Sequence, residues 1–201
     1  MVMNHRFVSR AGEKLQGALD AFGVHARVVG RVCADFGCNV GGFTDCLLQA
    51  GAAKVFAIDT GYGELAWKLR KDPRVAVMER TNALYCDVPE PVDLVTVDVA
   101  WTPQRLAVPA ALKWLKTGTE TKNTPLDGPL IISLIKPHYE AEKFLGRKPH
   151  GVLSPEQASD IASRVCDELA HTFPCRVLGL TPSSLLGKGG NREFLALISP
   201  A

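Results

Sequence analysis

Two groups of residues in this 201-residue chain carry chemistry by their types and spacing. The first is the run Asp35-Phe36-Gly37-Cys38-Asn39-Val40-Gly41-Gly42-Phe43-Thr44. It lies between the apolar segment Val28 to Ala34 and a helical pattern from Phe43 to Ala50, and Asp59 closes the next apolar run, Ala53 to Ile58. Strand, glycine turn, helix, strand and acid make the nucleoside-binding half of a Rossmann-like fold. A dinucleotide fingerprint uses its middle glycine to let the backbone touch a pyrophosphate; here Asn39 holds that place. A ligand with an adenosine and no pyrophosphate needs no such approach, and S-adenosylmethionine fits. Asp59 would take the ribose hydroxyls and the glycine turn the methionine end, with Asp35 helping to hold the amino group. The competing reading, a turn that serves only tight strand–helix packing, does not account for Asp59.

The second group is Lys14, Asp98, Lys136 and Glu193. Lys14 stands beside the apolar stripe Leu15, Ala18, Leu19 and Phe22 of a predicted helix. Asp98 ends the run Leu94–Val97; Lys136 ends Leu130–Ile135 and precedes Pro137, which stops the strand. Glu193 opens the last strand after the turn Gly187-Lys188-Gly189-Gly190-Asn191. Charged residues at the carboxyl ends of central strands meet whatever an open α/β sheet binds. Taken singly, Lys14 and Glu193 also read as strand or helix ends meeting water. Asp98 and Lys136 fit that reading less well.

The elements that must position these residues follow from the apolar periodicity. Strands are expected near 30–35, 53–59, 75–79, 92–99, 129–136, 175–182 and 193–199, and helices near 10–22, 43–50, 62–70, 103–116 and 155–172. Their alternation predicts a Rossmann-like, mostly parallel seven-stranded sheet with helices on both faces, which together with the hairpin described next is the architecture of class I methyltransferases. The last two strands are joined only by Ser183–Asn191, too short for a crossover helix, so they pair antiparallel as a C-terminal hairpin. Thr117–Gly128 reads as a polar surface loop. Tyr139–Leu153 reads as an irregular stretch that gathers Lys143, Arg147, Lys148 and His150.

Composition bounds the function. The chain is 46% hydrophobic and 22% charged with a net charge of +2, so a nucleic-acid partner must be met by a local patch. Six cysteines form no C-x-x-C pair and no zinc spacing, which favours reduced thiols, a cytoplasmic protein and no metal. The longest aliphatic stretch of the later chain, Leu130 to Ile135, is far short of the ~20 residues that span a bilayer.

Taken together, the motifs resemble the TlyA (hemolysin A) family, ribosomal RNA 2′-O-methyltransferases with an FtsJ-type catalytic domain. The resemblance rests on Val8–Leu15 (VSRAGEKL), Asp35–Leu47, Ala57–Leu65, Glu79-Arg80-Thr81-Asn82, Asp98-Val99, Lys136-Pro137 and Gly190–Phe194. Members carry an N-terminal S4 RNA-binding domain. This chain opens at the linker that follows it, so one catalytic domain over residues 1–201 is expected. The family's D-V-S-F reads Asp98-Val99-Ala100-Trp101 here, and its K-P-Q-F-E reads Lys136-Pro137-His138-Tyr139-Glu140.

The resemblance implies a catalytic K–D–K–E series at Lys14, Asp98, Lys136 and Glu193, with Lys136 as base or as cationic stabiliser of the ribose oxyanion. It implies a cofactor site of Asp35, Gly37, Asn39, Gly41, Gly42, Phe43 and Asp98 about the methionine part, Asp59 at the ribose, and Glu79 or Asn82 near the adenine. Asn82 reads equally well as a turn residue. Ribosomal RNA or ribosomal subunits are the expected partners, and cytidine is the family's usual target. Phosphate contacts would come from Arg10, Lys143, Arg147, Lys148, Lys188 and Arg192, with Lys14 alongside. Trp101 and Tyr139 are candidates to stack on a displaced base. Two alternatives remain: a non-catalytic cofactor- or RNA-binding module, and a membrane-active haemolysin. A P-loop at Leu186–Gly190 fails, because a β pattern follows its lysine where a helix is needed.

Overall fold

The computed structural model describes residues 6–117, 124–187 and 189–201. Lys188, one of the expected phosphate contacts, lies outside the described residues, as does half of the Thr117–Gly128 loop. The strands are β1 (Val32–Phe36), β2 (Lys54–Ile58), β3 (Val75–Met78), β4 (Leu94–Val97), β5 (Leu130–Ile135), β6 (Cys175–Pro182) and β7 (Phe194–Pro200). They form one sheet in the order β3-β2-β1-β4-β5-β7-β6. The first five run parallel; β7 enters antiparallel between β5 and β6. This is the expected class I methyltransferase architecture, C-terminal hairpin included.

The helices are α1 (Ala11–Phe22), α2 (Gly42–Gln49), α3 (Trp67–Arg70), α4 (Gln104–Trp114), α5 (Pro137–Leu145) and α6 (Pro155–Thr172). Both faces of the sheet are covered, so central strands need apolar side chains pointing both ways. In β5 all six residues are buried. Leu15, Leu19, Leu47 and Leu69 pack against Val55, Ile132 and Leu134 on one face. On the other, Trp114, Val108 and Ile161 pack against Phe36, Val95 and Ile131. Trp114 is the largest fully buried side chain there and meets Phe36 and Phe56 edge-on, at 5.4 and 5.9 Å between ring centres.

Two expectations are corrected. The helix foreseen over 62–70 is only the turn Trp67–Arg70, because Gly63 adopts φ +80° and its N–H is held by the Glu79 carboxylate at 2.7 Å. The stretch read as irregular from Tyr139 begins inside a helix, α5. Pro137 both ends β5 and opens that helix at its first position, where the missing N–H costs nothing. Gly146, at φ +70°, closes it.

Truncating Trp114 to Ala removes the hub of one layer and is expected to cost about 3–5 kcal/mol. Urea unfolding followed by far-UV circular dichroism checks this.

Candidate active site

The glycine turn is built by close approach. Gly37 and Cys38 both donate N–H bonds to the Ile58 carbonyl, at 2.9 and 3.0 Å, which ties the end of β1 to the end of β2. At Gly37 (φ +82°) a Cβ would lie 2.6 Å from the Asp98 carbonyl oxygen, so only glycine lets the end of β4 come so near. Asn39 takes the left-handed conformation at φ +47°, which asparagine tolerates better than most residues. Its N–H donates to Asp59 Oδ2 at 2.8 Å, and Gly61 N–H donates to Asp59 Oδ1 at 2.7 Å. Each carboxylate oxygen keeps acceptor capacity beyond these bonds. Asp59 therefore fixes two turns and still faces the crevice.

That crevice has a volume of about 370 Å³ and runs over Gly37, Asn39, Asp59, Thr81, Asn82 and the 98–102 loop. A hollow of about 230 Å³ adjoins it, sharing Gly37, Asn39, Asp98 and Ala100 and adding Ser9, Phe43 and Lys136. Both open at the carboxyl edge, where open α/β sheets bind ligands. Asn82 lines the crevice and also accepts the Leu84 N–H at 3.0 Å, so the turn and pocket readings hold together. Gly41 and Gly42 serve packing: a Cβ at Gly42 would strike Ser9 Oγ at 2.3 Å.

Two acids of the expected cofactor site also stand outside the crevice. Asp35 is sealed at 0% exposure and does not line the crevice. It accepts from Thr44 Oγ1 at 2.7 Å and Thr96 Oγ1 at 3.0 Å, and so braces β1 against α2 and β4. Strand alternation turns it into the layer between sheet and helix. Burial pushes its carboxyl up to about 7, against the pull of the two threonine hydroxyls. Glu79 is bound to Arg70 and to Gly63 N–H, which holds its carboxyl below the usual range. It shapes the loop beside the crevice and does not line it.

The four charged residues form two ion pairs. Lys136 Nζ lies 2.6 Å from Asp98 Oδ1 and donates to the Val99 carbonyl at 3.1 Å. Lys14 Nζ lies 2.5 Å from Glu193 Oε2, across 179 positions of sequence. The register explains the convergence: Ile135 faces Phe194, so one residue further Lys136 comes opposite Glu193, while Phe36 faces Val97 and brings Gly37 beside Asp98. Lys136 and Asp98 line the hollow. Lys14 and the buried Glu193 (5% exposed) lie one strand over and do not. His138 feels both Glu193 and Lys136, and burial holds its imidazole below the ordinary value.

The expected RNA contacts divide. Arg10, Arg147 and Arg192 are exposed, although Arg10 also reaches the Leu186 carbonyl at 3.5 Å. Lys143 is drawn back to Glu168 on α6, and Lys148 stands 4.0 Å from Glu142. Trp101 is 76% exposed and left-handed at φ +49°, and Tyr139 is partly exposed against His138. The sequence reading missed Tyr62, which is exposed with the Arg80 guanidinium 4.3 Å from its ring centre. It also missed the N-terminal arm: Ser9 and Ala11 wall the hollow. The VSRAGEKL motif holds both residues and was the available signal. Among the described residues, no group of three or more His, Cys, Asp or Glu could hold a metal ion.

The family model for FtsJ-like methyltransferases matches residues 7–199. The chain belongs to that family. Among its relatives, the protein named "Putative rRNA methyltransferase YqxC" of Bacillus subtilis is 37% identical over 198 residues, covering 94% of this chain and 64% of its own. The 16S/23S rRNA (cytidine-2′-O)-methyltransferase TlyA of Mycobacterium tuberculosis is 39% identical over 193 residues, covering 94% and 66%. The chain thus spans slightly under two thirds of each. A solved structure named "Putative hemolysin" from Streptococcus thermophilus superposes with a TM-score of 0.83 at 32% identity, over 100% of this chain and 70% of that one.

Asp35 generates a pH prediction for this FtsJ-like domain. Its folded pKa stands above the ordinary 3.8, so the folded state binds its proton more tightly. The resulting stability is complete below that value and is lost as pH rises toward about 7. Asp35→Asn, which cannot ionise, should therefore gain on the wild type as pH rises across that window, by at most about 1.4 kcal/mol per unit. Urea midpoints of both proteins at several pH values measure the difference.

Proposed function

We propose that the chain is the catalytic domain of an S-adenosylmethionine-dependent methyltransferase that modifies a ribose 2′-hydroxyl of ribosomal RNA, with cytidine as the target nucleoside. The single observation that carries the reading is the Lys136–Asp98 ion pair standing in the wall of the hollow beside Gly37 and Asn39. Family membership and relatives named as rRNA methyltransferases support it. Work on ribosomal RNA would set the protein in the cytoplasm.

The residues present fit the cofactor. Asp59 retains acceptor capacity toward the crevice for a ribose diol, and the crevice floor at Gly37 admits no side chain. When bound, S-adenosylmethionine supplies a methyl group activated by its sulfonium. The rest is alignment and charge, which fall to the protein. Asp98 Oδ1 and the Val99 carbonyl engage Lys136 Nζ, which leaves one N–H of the ammonium for the hollow. That N–H stabilises negative charge developing on the ribose oxygen, while the 2′-hydroxyl proton leaves to water in the open hollow. The Lys14–Glu193 pair keeps Glu193 from being a lone buried charge beside Lys136. Arg10, Arg147 and Arg192 supply exposed cations for phosphates, and Trp101 an exposed ring for a base.

No observation on the described residues favours the membrane-active alternative. No helix among them is long and apolar enough to cross a membrane.

Labelled methyl from S-adenosylmethionine should enter ribosomal RNA, offered as naked RNA, separated subunits and assembled ribosomes. The modified linkage should resist alkali, since that cleavage needs a free 2′-hydroxyl. Lys136→Ala should lower the rate by about two orders of magnitude or more while leaving the circular dichroism spectrum unchanged. Label recovered on a base atom would overturn the 2′-O assignment.

A further inference from the structure

The loop that carries Asp98 is held from two sides, and only one of them belongs to the pair just described. At its start, Lys136 binds Asp98 Oδ1 and the Val99 carbonyl. At its end stands Gln104, the first residue of α4, preceded by Pro103, which provides no side-chain cap. The opening N–H groups of a helix have no partner within it. Here the acceptor comes from another helix: Gln104 N–H donates to Glu140 Oε1 of α5 at 2.7 Å. The Gln104 side chain continues the connection, with Nε2 donating to the Leu134 carbonyl at 3.0 Å and Oε1 accepting from Ser133 Oγ at 2.5 Å. Ser133 and Leu134 are the β5 residues just short of Lys136.

All three side chains are out of solvent, Glu140 at 7% exposure. A buried carboxyl needs a reason to be there. Burial pushes the Glu140 carboxyl up and Glu168 of α6 adds to the push; the Gln104 N–H, Arg105 of α4 and Lys143 of α5 itself pull it down. Between the two anchors the backbone is unfavourable. Trp101 is left-handed at φ +49°, and the Thr102 N–H folds back on the Ala100 carbonyl at 2.6 Å. Such conformations persist only where the surroundings over-determine them.

We propose that Glu140 is a positioning residue for methyl transfer: by capping α4 from α5 it locks the 98–103 loop against β5 and so sets the Asp98–Lys136 pair. The proposal rests on the reading of that pair as the transfer centre. It gives Glu140 no contact with substrate or cofactor. Released at its Gln104 end, the loop relaxes at Trp101 and carries Asp98 with it, and small misplacements of aligned groups are costly.

The test compares Glu140→Leu, which removes the acceptor, with Glu140→Gln, which keeps a carbonyl oxygen for the Gln104 N–H. Amide hydrogen exchange over residues 98–105 should rise about tenfold in the leucine variant, with exchange in β1 and β2 unchanged. Its kcat should fall about tenfold or more, with KM for S-adenosylmethionine within about twofold of wild type. The glutamine variant should restore both. Unchanged exchange over 98–105 in the leucine variant overturns the proposal, as does a glutamine variant no better than leucine, or a loss spread evenly over the domain. If Glu140→Leu does not fold, Glu140→Ala carries the test by removing the same acceptor from a smaller side chain: a selective rise over 98–105 supports the proposal, and no rise overturns it. Should the wild type transfer no methyl group, the exchange comparison still decides the brace, separately from the function.

Discussion

A lysine and an aspartate at the carboxyl ends of adjacent parallel strands hold each other at 2.6 Å, and much of the molecule is arranged so that neither is left alone there. A lone charge in a partly enclosed site pays desolvation without return, whereas a paired one is repaid when hydrogen bonds occupy its remaining donors and acceptors. Both conditions are met at Lys136, which has a carboxylate and a backbone carbonyl as partners. Pairing of this kind requires fixed backbones, and the strands provide them: β1, β4, β5 and β7 are neighbours in the sheet, buried on both faces.

The rigidity beneath the edge has its own polar framework. Asp35, Thr44 and Thr96 join β1, α2 and β4 under the glycine turn; Ser133, Gln104 and Glu140 join β5, α4 and α5 under the neighbouring loop. These networks lie on opposite faces of the sheet, one below each wall of the site. Each satisfies its members internally, as buried polar groups must. Exposed polar residues of the crevice can thus remain ready for a ligand while buried ones hold the frame.

The parallel strands, the hairpin and the glycine turn were legible because each rests on local signals: two-sided apolar runs, a short connection without a crossover helix and a glycine pattern. The charged series was legible by family resemblance, and the strand register shows why its members meet. Roles were harder to read than places. Asp35 and Asp59 are both acids at strand ends, yet one is sealed inside and the other faces the crevice. Asp35 lies one residue inside the end of β1 and Asp59 one residue past the end of β2, and periodicity does not fix strand ends so finely. Helix α5 was missed for a related reason: a proline that ends one element also opened the next. The N-terminal arm was missed as a wall of the hollow because its place depends on packing against Gly42, far along the chain.

The position of β7 has a bearing on how the protein is made. It inserts between β5 and β6 and brings Glu193 to a lysine near the start of the chain. Contacts of such long sequence separation form late and slow folding. A chain emerging from the ribosome can assemble β1 to β5 in order, yet the Lys14–Glu193 pair must wait until β7 follows. The nascent domain therefore carries Lys14 without its Glu193 partner until β7 has been made, and the pair is completed only then.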